Sequence, residues 1–150
     1  MKKITGILFF VAIFIFTANI EVSAQCKQQL VYDCATNADN AIYLRDFNTK
    51  LKKVKAGEMS GNKWTVVLNK GTRYRFNLCT PDGTESEILL TLYDGTKPES
   101  NPHGSTLEHT SFDFICKKSG MYYVSIRFKN EENSKKTCAV GILSFVGKNQ

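Results

Sequence analysis

The stretch WTVVLNKGTRYRFNL, residues 64–78, decides the fold of this chain. Apolar side chains recur at every second position on both sides of a central Asn-Lys-Gly-Thr segment, residues 69–72. A period of two is typical of a β-strand that buries one face, and the central segment has turn chemistry. We therefore predict an antiparallel hairpin whose inner face carries Trp64, Val66, Leu68, Tyr74, Phe76 and Leu78.

The strand pattern continues on both sides of this stretch. Residues 111–116, 121–129 and 137–146 are predicted strands, and residues 87–93 are apolar on both faces, which indicates a central strand. Closer to the N-terminus, the strand candidates are less regular and cover residues 29–32 and 41–47.

Helical and irregular segments are few. Residues 48–58 are rich in Lys and contain Gly57, so we expect at most a short helix there and no amphipathic helix of useful length elsewhere. Residues 96–110, rich in Pro, Ser, Asn and Gly, are the longest irregular stretch. Seven or eight short strands at these spacings predict an all-β fold, an antiparallel jelly-roll-like β-sandwich.

The N-terminus predicts export. Lys2 and Lys3 precede an apolar run over residues 4–16, and small residues at Val22 and Ala24 suit signal peptidase. We predict a cleaved signal peptide, residues 1–24, followed by one domain, residues 25–150, in the periplasm or outside a bacterial cell. The apolar run is shorter than the roughly 18 residues that a membrane span needs, so no stable membrane insertion is expected after cleavage.

Five cysteines follow the predicted cleavage site, where an oxidising environment favours disulfides. The simplest count is two bridges and one free thiol. We prefer a local bridge between Cys26 and Cys34 and one bridge among the other three, although 15 arrangements of this kind are possible and the sequence alone does not choose among them. Lipidation of Cys26 remains an alternative to bridging. The disulfide candidates are Cys26, Cys34, Cys79, Cys116 and Cys138.

The charge pattern argues against a nucleic-acid partner. The formal net charge is +6, and the lysines cluster at residues 50–55, 117–118 and 135–136, each next to turn-like sequence. Such clusters are typical of solvated loop tips rather than of a continuous nucleic-acid groove. Attraction to acidic envelope glycans or lipid head groups remains an alternative.

Three motifs carry a resemblance to a known family. They are KGTRYRF at residues 70–76, LTLYD at residues 90–94 and SGMYYV at residues 119–124. In their order and spacing, they resemble the bacterial pre-peptidase C-terminal domain over about residues 64–146, with Met121 in place of the usual Thr. The resemblance implies a jelly-roll sandwich in an exported protein, here free-standing, because no peptidase domain precedes it.

No motif predicts catalysis, a cofactor or a metal site. His103 and His109 are expected to be solvated in the 96–110 loop. The carboxylates considered for glycoside cleavage are Glu85, Glu87, Asp94 and Asp113. The cysteines lack the spacing of a zinc site. Some relatives of the resembled family bind calcium, but the acidic residues near this N-terminus match no ligand loop: Asp33, Asp39 and Asp46.

Aromatic and basic residues that fall out of step with the inward positions predict a binding face. We expect an exposed, aromatic and basic sheet face made by Arg73, Arg75, Tyr93, Tyr123 and Arg127. The predicted function is an exported, non-catalytic module that binds a protein or polysaccharide partner through this face or through the 96–110 loop. The alternatives are an envelope structural or assembly component and, less favoured, a secreted hydrolase.

Overall fold

The computed structural model describes residues 26, 28–37, 40–55, 58, 60–81, 83–95, 102–130 and 135–148. The predicted signal peptide, residues 1–24, lies outside the described residues. The secondary structure consists of α1 (Gln28–Thr36), β1 (Ile42–Leu51), β2 (Gly61–Leu68), β3 (Thr72–Cys79), a 3-10 turn (Glu85–Glu87), β4 (Ile88–Asp94), β5 (Gly104–Ser105), β6 (Ser111–Ile115), β7 (Gly120–Phe128) and β8 (Thr137–Lys148).

The strands form two four-stranded sheets. Sheet A has the order β1-β8-β3-β6, sheet B has the order β2-β7-β4-β5, and the paired strands in both are antiparallel. The two sheets enclose one hydrophobic core, whose largest fully buried side chains include Phe47, Phe76, Leu90, Ile126 and Phe128. The prediction of an antiparallel β-sandwich of seven or eight strands is confirmed, with eight strands among the described residues.

Period-two alternation correctly identified the inward positions. Tyr74, Phe76 and Leu78 of β3 and Tyr122 and Val124 of β7 are core residues, as the sequence pattern predicts. The alternating residues of the same strands therefore point away from the core, because successive side chains in a strand lie on opposite sides of the sheet.

The predicted hairpin between residues 64–68 and 74–78 is wrong. The turn exists, with Gly71 at φ 77°, but it connects β2 in sheet B to β3 in sheet A. Both strands carry an apolar inner face, and lying in opposite sheets lets these faces pack across the core instead of side by side. The turn between β6 and β7, which also connects the two sheets, lies beside it. The Lys70 amide donates to Ser119 Oγ at 2.8 Å, and the Gly71 amide donates to Cys116 O at 2.9 Å.

The expectation of a strand at residues 29–32 and of no useful helix is also wrong. These residues belong to α1, which contains nine residues. Leu30 and Cys34, and Val31 and Ala35, are four apart and pack against the same buried cluster, which is helical rather than strand periodicity. The short helix considered at residues 48–58 does not form at its start, because residues 48–51 continue β1.

The predicted central strand, β4, is buried on both faces for six of its seven residues. It lies between β7 and the two-residue strand β5. Part of the 96–110 segment therefore pairs with the sheet: Thr106 exchanges hydrogen bonds with the Leu90 backbone, both at 3.0 Å. Residues 96–101 lie outside the described residues. Within the described part of the chain, no helix has the length and apolar character needed to cross a membrane.

Candidate functional site

The sandwich has two outer faces, which differ in what covers them. We call the solvent side of sheet A outer face A, and the solvent side of sheet B outer face B. Helix α1 packs on outer face A, where Val140 and Ile142 of β8 are fully buried against it. Leu30, Val31 and Ala35 supply the apolar side of the helix.

Two disulfides fix α1 to sheet A. Cys26 pairs with Cys138 on β8, Cys34 pairs with Cys79 on β3, and Cys116 is a buried free thiol. The structure thus has two bridges and one thiol, and the preferred Cys26–Cys34 bridge is wrong. The helical segment from Gln28 to Cys34 alone spans about 9 Å, which exceeds the roughly 7 Å that a bridge tolerates between Cα atoms.

The part of outer face A beyond the helix carries an ion pair. Arg75 Nε lies 2.7 Å from Asp113 Oδ1, and its Nη2 donates to Asp113 Oδ2 at 3.2 Å. This two-point contact occupies the carboxylate of Asp113, one of those that the sequence offered for glycoside cleavage. Glu87, another of those carboxylates, ends the 3-10 turn before β4.

Outer face B is exposed at the ends of β2 and β7 that carry Val67 and Met121, whereas its outward residues on β4, such as Leu89 and Thr91, are buried. Val67 of β2 and Met121 of β7 lie directly opposite each other in the strand register, with 70% and 63% of their surfaces exposed. Further along the same face, Tyr123 is half-buried beside Tyr93, with 5.6 Å between the ring centroids. The face therefore joins an exposed apolar pair to an aromatic centre.

The five residues predicted to form one aromatic and basic face do not do so. Arg73 and Arg75 lie on outer face A, whereas Tyr93, Tyr123 and Arg127 lie on outer face B. The separation follows from the crossing turn, which places β3 in the opposite sheet from β2 and β7. Tyr93 is only 8% exposed, so it supports Tyr123 rather than presenting its own ring.

Two adjoining hollows mark the end of outer face B opposite the apolar pair. One, of about 110 Å³, is lined by Gly61, Asn62, Lys63, Tyr93, Ser125, Ile126 and Arg127. The other, of about 160 Å³, is lined by Thr49, Lys50, Lys52, Val54, Ser60, Gly61 and Asn62. Because they share Gly61 and Asn62, we treat them together and call them the basic groove.

The basic groove is built where the ends of β1 and β2 meet. Asn62 Nδ2 donates to Thr49 Oγ1 at 2.8 Å, which ties the two strands together. Gly61 lies opposite Arg127, and a Cβ at Gly61 would collide with the Ile126 carbonyl oxygen. Glycine is thus the residue that lets β2 approach β7 at the groove floor.

His103 and Cys116 belong to a cluster at one end of the sandwich. His103 Nε2 lies 2.9 Å from Asp94 Oδ2, and the His103 ring packs against Phe114 and Tyr122. The expectation that His103 is solvated is therefore wrong, whereas His109 is exposed. Sequence analysis missed this contact because Asp94 ends a strand and His103 follows a separate loop.

The free thiol in this cluster is held by hydrogen bonds. Cys116 Sγ contacts Lys118 O at 3.2 Å, and the Tyr122 hydroxyl donates to the same carbonyl at 2.8 Å. Burial, followed by the hydrogen bond to Cys116, raises the pKa of Tyr122 to about 12. The hydrogen-bonding groups that contact the thiol are thus the Tyr122 hydroxyl and the Lys118 carbonyl.

The acidic residues considered for calcium do not converge. Asp33 accepts a hydrogen bond from Gln29 Nε2 and Asp46 from the Tyr43 hydroxyl, each at 2.7 Å, while Asp39 lies outside the described residues. Among the residues that the structure describes, no group of three or more His, Cys, Asp or Glu side chains is placed to hold a metal ion.

Comparison with known proteins supports the fold. No protein-family model and no curated protein sequence matches the chain. Its structure is similar to the crystal structure of Aeromonas hydrophila PliG, described as a periplasmic lysozyme inhibitor of g-type lysozyme, with a TM-score of 0.56. The match has 9% sequence identity and covers 70% of this chain and 88% of PliG. The likeness shows a shared sandwich fold.

Proposed function

We propose that this protein is an exported, non-catalytic module that binds a protein partner on outer face B. The observation that carries the proposal is the exposed pair Val67 and Met121, 70% and 63% accessible and adjacent across β2 and β7. Single exposed apolar residues are ordinary, but adjacent ones on an uncovered sheet are typical of interaction surfaces. Methionine and tyrosine are also enriched where proteins meet.

The two outer faces support this assignment by contrast. On outer face A, the outward apolar residues Val140 and Ile142 are buried beneath α1. On outer face B, the outward apolar residues at the Val67 end have no cover within the described chain. A protein partner would supply for outer face B the layer that α1 supplies for outer face A.

A protein partner fits outer face B better than a polysaccharide does. Stacking on a sugar requires an open aromatic ring face. Tyr93 is 8% exposed, and the Lys63 ammonium lies 5.1 Å from the centroid of the Tyr123 ring. Neither ring therefore offers the open platform that the polysaccharide hypothesis requires.

Export is part of the proposal. Residues 1–24 are proposed as the cleaved signal peptide and residues 25–150 as one domain. Two disulfides are typical of an oxidising compartment such as the periplasm or the cell exterior. We also propose that the chain is related to the pre-peptidase C-terminal domain, because both are sandwiches with the same order of motifs.

The first partner to test is a g-type lysozyme, because the similar solved structure is described as an inhibitor of one. Isothermal titration calorimetry should show binding by the wild-type protein. Met121→Asp should weaken it by about tenfold or more, because a charge enters an apolar contact. The matched control is Ile115→Asp, at a 37% exposed residue on outer face A, which should bind like the wild type.

Two results would contradict the proposal in different ways. Absence of binding by the folded wild-type protein would exclude the lysozyme as its partner. Equal affinity of the Met121→Asp and Ile115→Asp variants would exclude outer face B as the docking surface.

A further inference from the structure

We infer that the basic groove receives an acidic segment of a polypeptide partner, whose carboxylates pair with Lys52 and Lys63. The inference rests on the proposed function, because one hollow of the groove opens on outer face B. It adds the chemistry of the partner: an extended, acidic stretch beside an apolar contact.

Charge is the first argument. Among the described residues, the groove lining contains four basic residues, Lys50, Lys52, Lys63 and Arg127, and no carboxylate. Cations gathered in a concave site reinforce one another's potential and concentrate anions there. An isolated lysine at a loop tip would be more strongly screened by solvent and salt.

The hydrogen-bonding groups of the lining provide the second argument. Lysine supplies three hydrogen-bond donors to a carboxylate. Asn62, an exposed residue of the lining, adds a neutral amide between the cations. Such a lining offers donors to side-chain carboxylates and an amide to the backbone of an extended peptide.

The rest of the face favours a peptide over other anions. A nucleic acid or an acidic glycan would gain from aromatic stacking, but Lys63 lies over the Tyr123 ring and Tyr93 is nearly buried. The exposed Val67 and Met121 at the other end of β2 and β7 provide the apolar contact that a folded protein can reach at the same time.

The test uses a fluorescein-labelled deca-glutamate peptide and fluorescence anisotropy at about 50 mM and about 300 mM salt. The groove variant is Lys52→Glu with Lys63→Glu. The matched control is Lys135→Glu with Lys136→Glu, which changes the net charge equally at exposed lysines outside the groove. We expect the wild type and the control to bind alike and the groove variant to bind about tenfold or more weakly.

Three results would overturn the inference. They are the absence of peptide binding at low salt, an equal loss in the two double variants, and groove-dependent binding of polygalacturonate or anionic vesicles without binding of the peptide. Melting curves of both variants verify that each is folded.

A second measurement separates this inference from the proposed function. Met121→Asp should leave peptide binding unchanged, because Met121 does not line the groove. Peptide binding without lysozyme binding would overturn only the lysozyme proposal. Lysozyme binding that is lost in Met121→Asp, together with no peptide binding, would overturn only the groove.

Discussion

The two outer faces of the sandwich show how a strand's outward residues decide whether a third layer forms. β8 is apolar on both sides: Ala139 and Leu143 point into the core, while Val140 and Ile142 point outward beneath α1. β7 instead alternates: Val124 and Ile126 point inward, while its outward residues after Met121 include Ser125 and the half-buried Arg127. A strand buried on both faces requires a cover, whereas an alternating strand can face water.

Outer face B departs from this rule at one place. Val67 and Met121 are apolar, outward and exposed, unlike the polar residues further along β7. Val140 and Ile142 of sheet A are covered by α1, whereas Val67 and Met121 are exposed, and the proposed function assigns the cover of this pair to another molecule.

The largest expected effect tests the cover of outer face A. Replacing Cys34 and Cys79 by alanine removes the bridge between α1 and β3, which should lower the free energy of unfolding by about 2–5 kcal/mol. Urea denaturation measures the loss. Fully reduced wild-type protein should be less stable still, since it lacks both bridges. An unchanged midpoint would show that the helix is held by packing alone.

The next effect compares equivalent apolar residues on the two faces. Ile142→Ala empties a site that is fully buried under α1 and should cost about 2–5 kcal/mol. Met121→Ala, at a residue 63% exposed, should stay within about 0.5 kcal/mol. Thermal and urea unfolding of both variants measures the difference. Similar losses would mean that outer face B is covered within the chain after all.

The smallest effect concerns the polar remainder of outer face A. The side chains of Arg75 and Asp113 are 25% and 34% exposed. A double-mutant cycle with Arg75→Ala and Asp113→Ala should therefore give a coupling of about 0.2–1 kcal/mol, because solvent screens exposed pairs. A coupling of several kcal/mol would place this pair among structural elements as important as the disulfides.

The sequence predicts the inward and outward residues of individual strands better than it predicts which strands share a sheet. Alternation identified the inward residues of β3 and β7, because burial on one face imposes a period of two. It could not reveal that β2 and β3 lie in different sheets, since a tight turn at Gly71 suits a hairpin and a crossing equally well. The prediction of a single binding face is wrong for the same reason, because Arg73 and Arg75 belong to β3, which lies in sheet A.

The remaining misses involve contacts between distant parts of the chain. Helix α1 was missed because its apolar residues are too few to distinguish the period of a helix from that of a strand. Their role becomes clear only from their packing against β8. The contact between His103 and Asp94 depends on the pairing of β5 with β4, which places His103 beside the end of β4. The groove joins residues of β1, β2 and β7, and no motif in the sequence connects them.

The pattern of the bridges has a consequence for how the molecule matures. Cys26 and Cys34 emerge first from a chain made or translocated from its N-terminus, while Cys138, the partner of Cys26, emerges 112 residues later. Two early thiols close in sequence are therefore available to pair with each other, and this wrong bridge must be avoided or reopened by thiol exchange. Once the sandwich closes, the remaining thiol, Cys116, is 1% exposed and cannot readily attack either bridge. Burial of Cys116 thus keeps the protein's own free thiol from readily reopening the two bridges once they have formed.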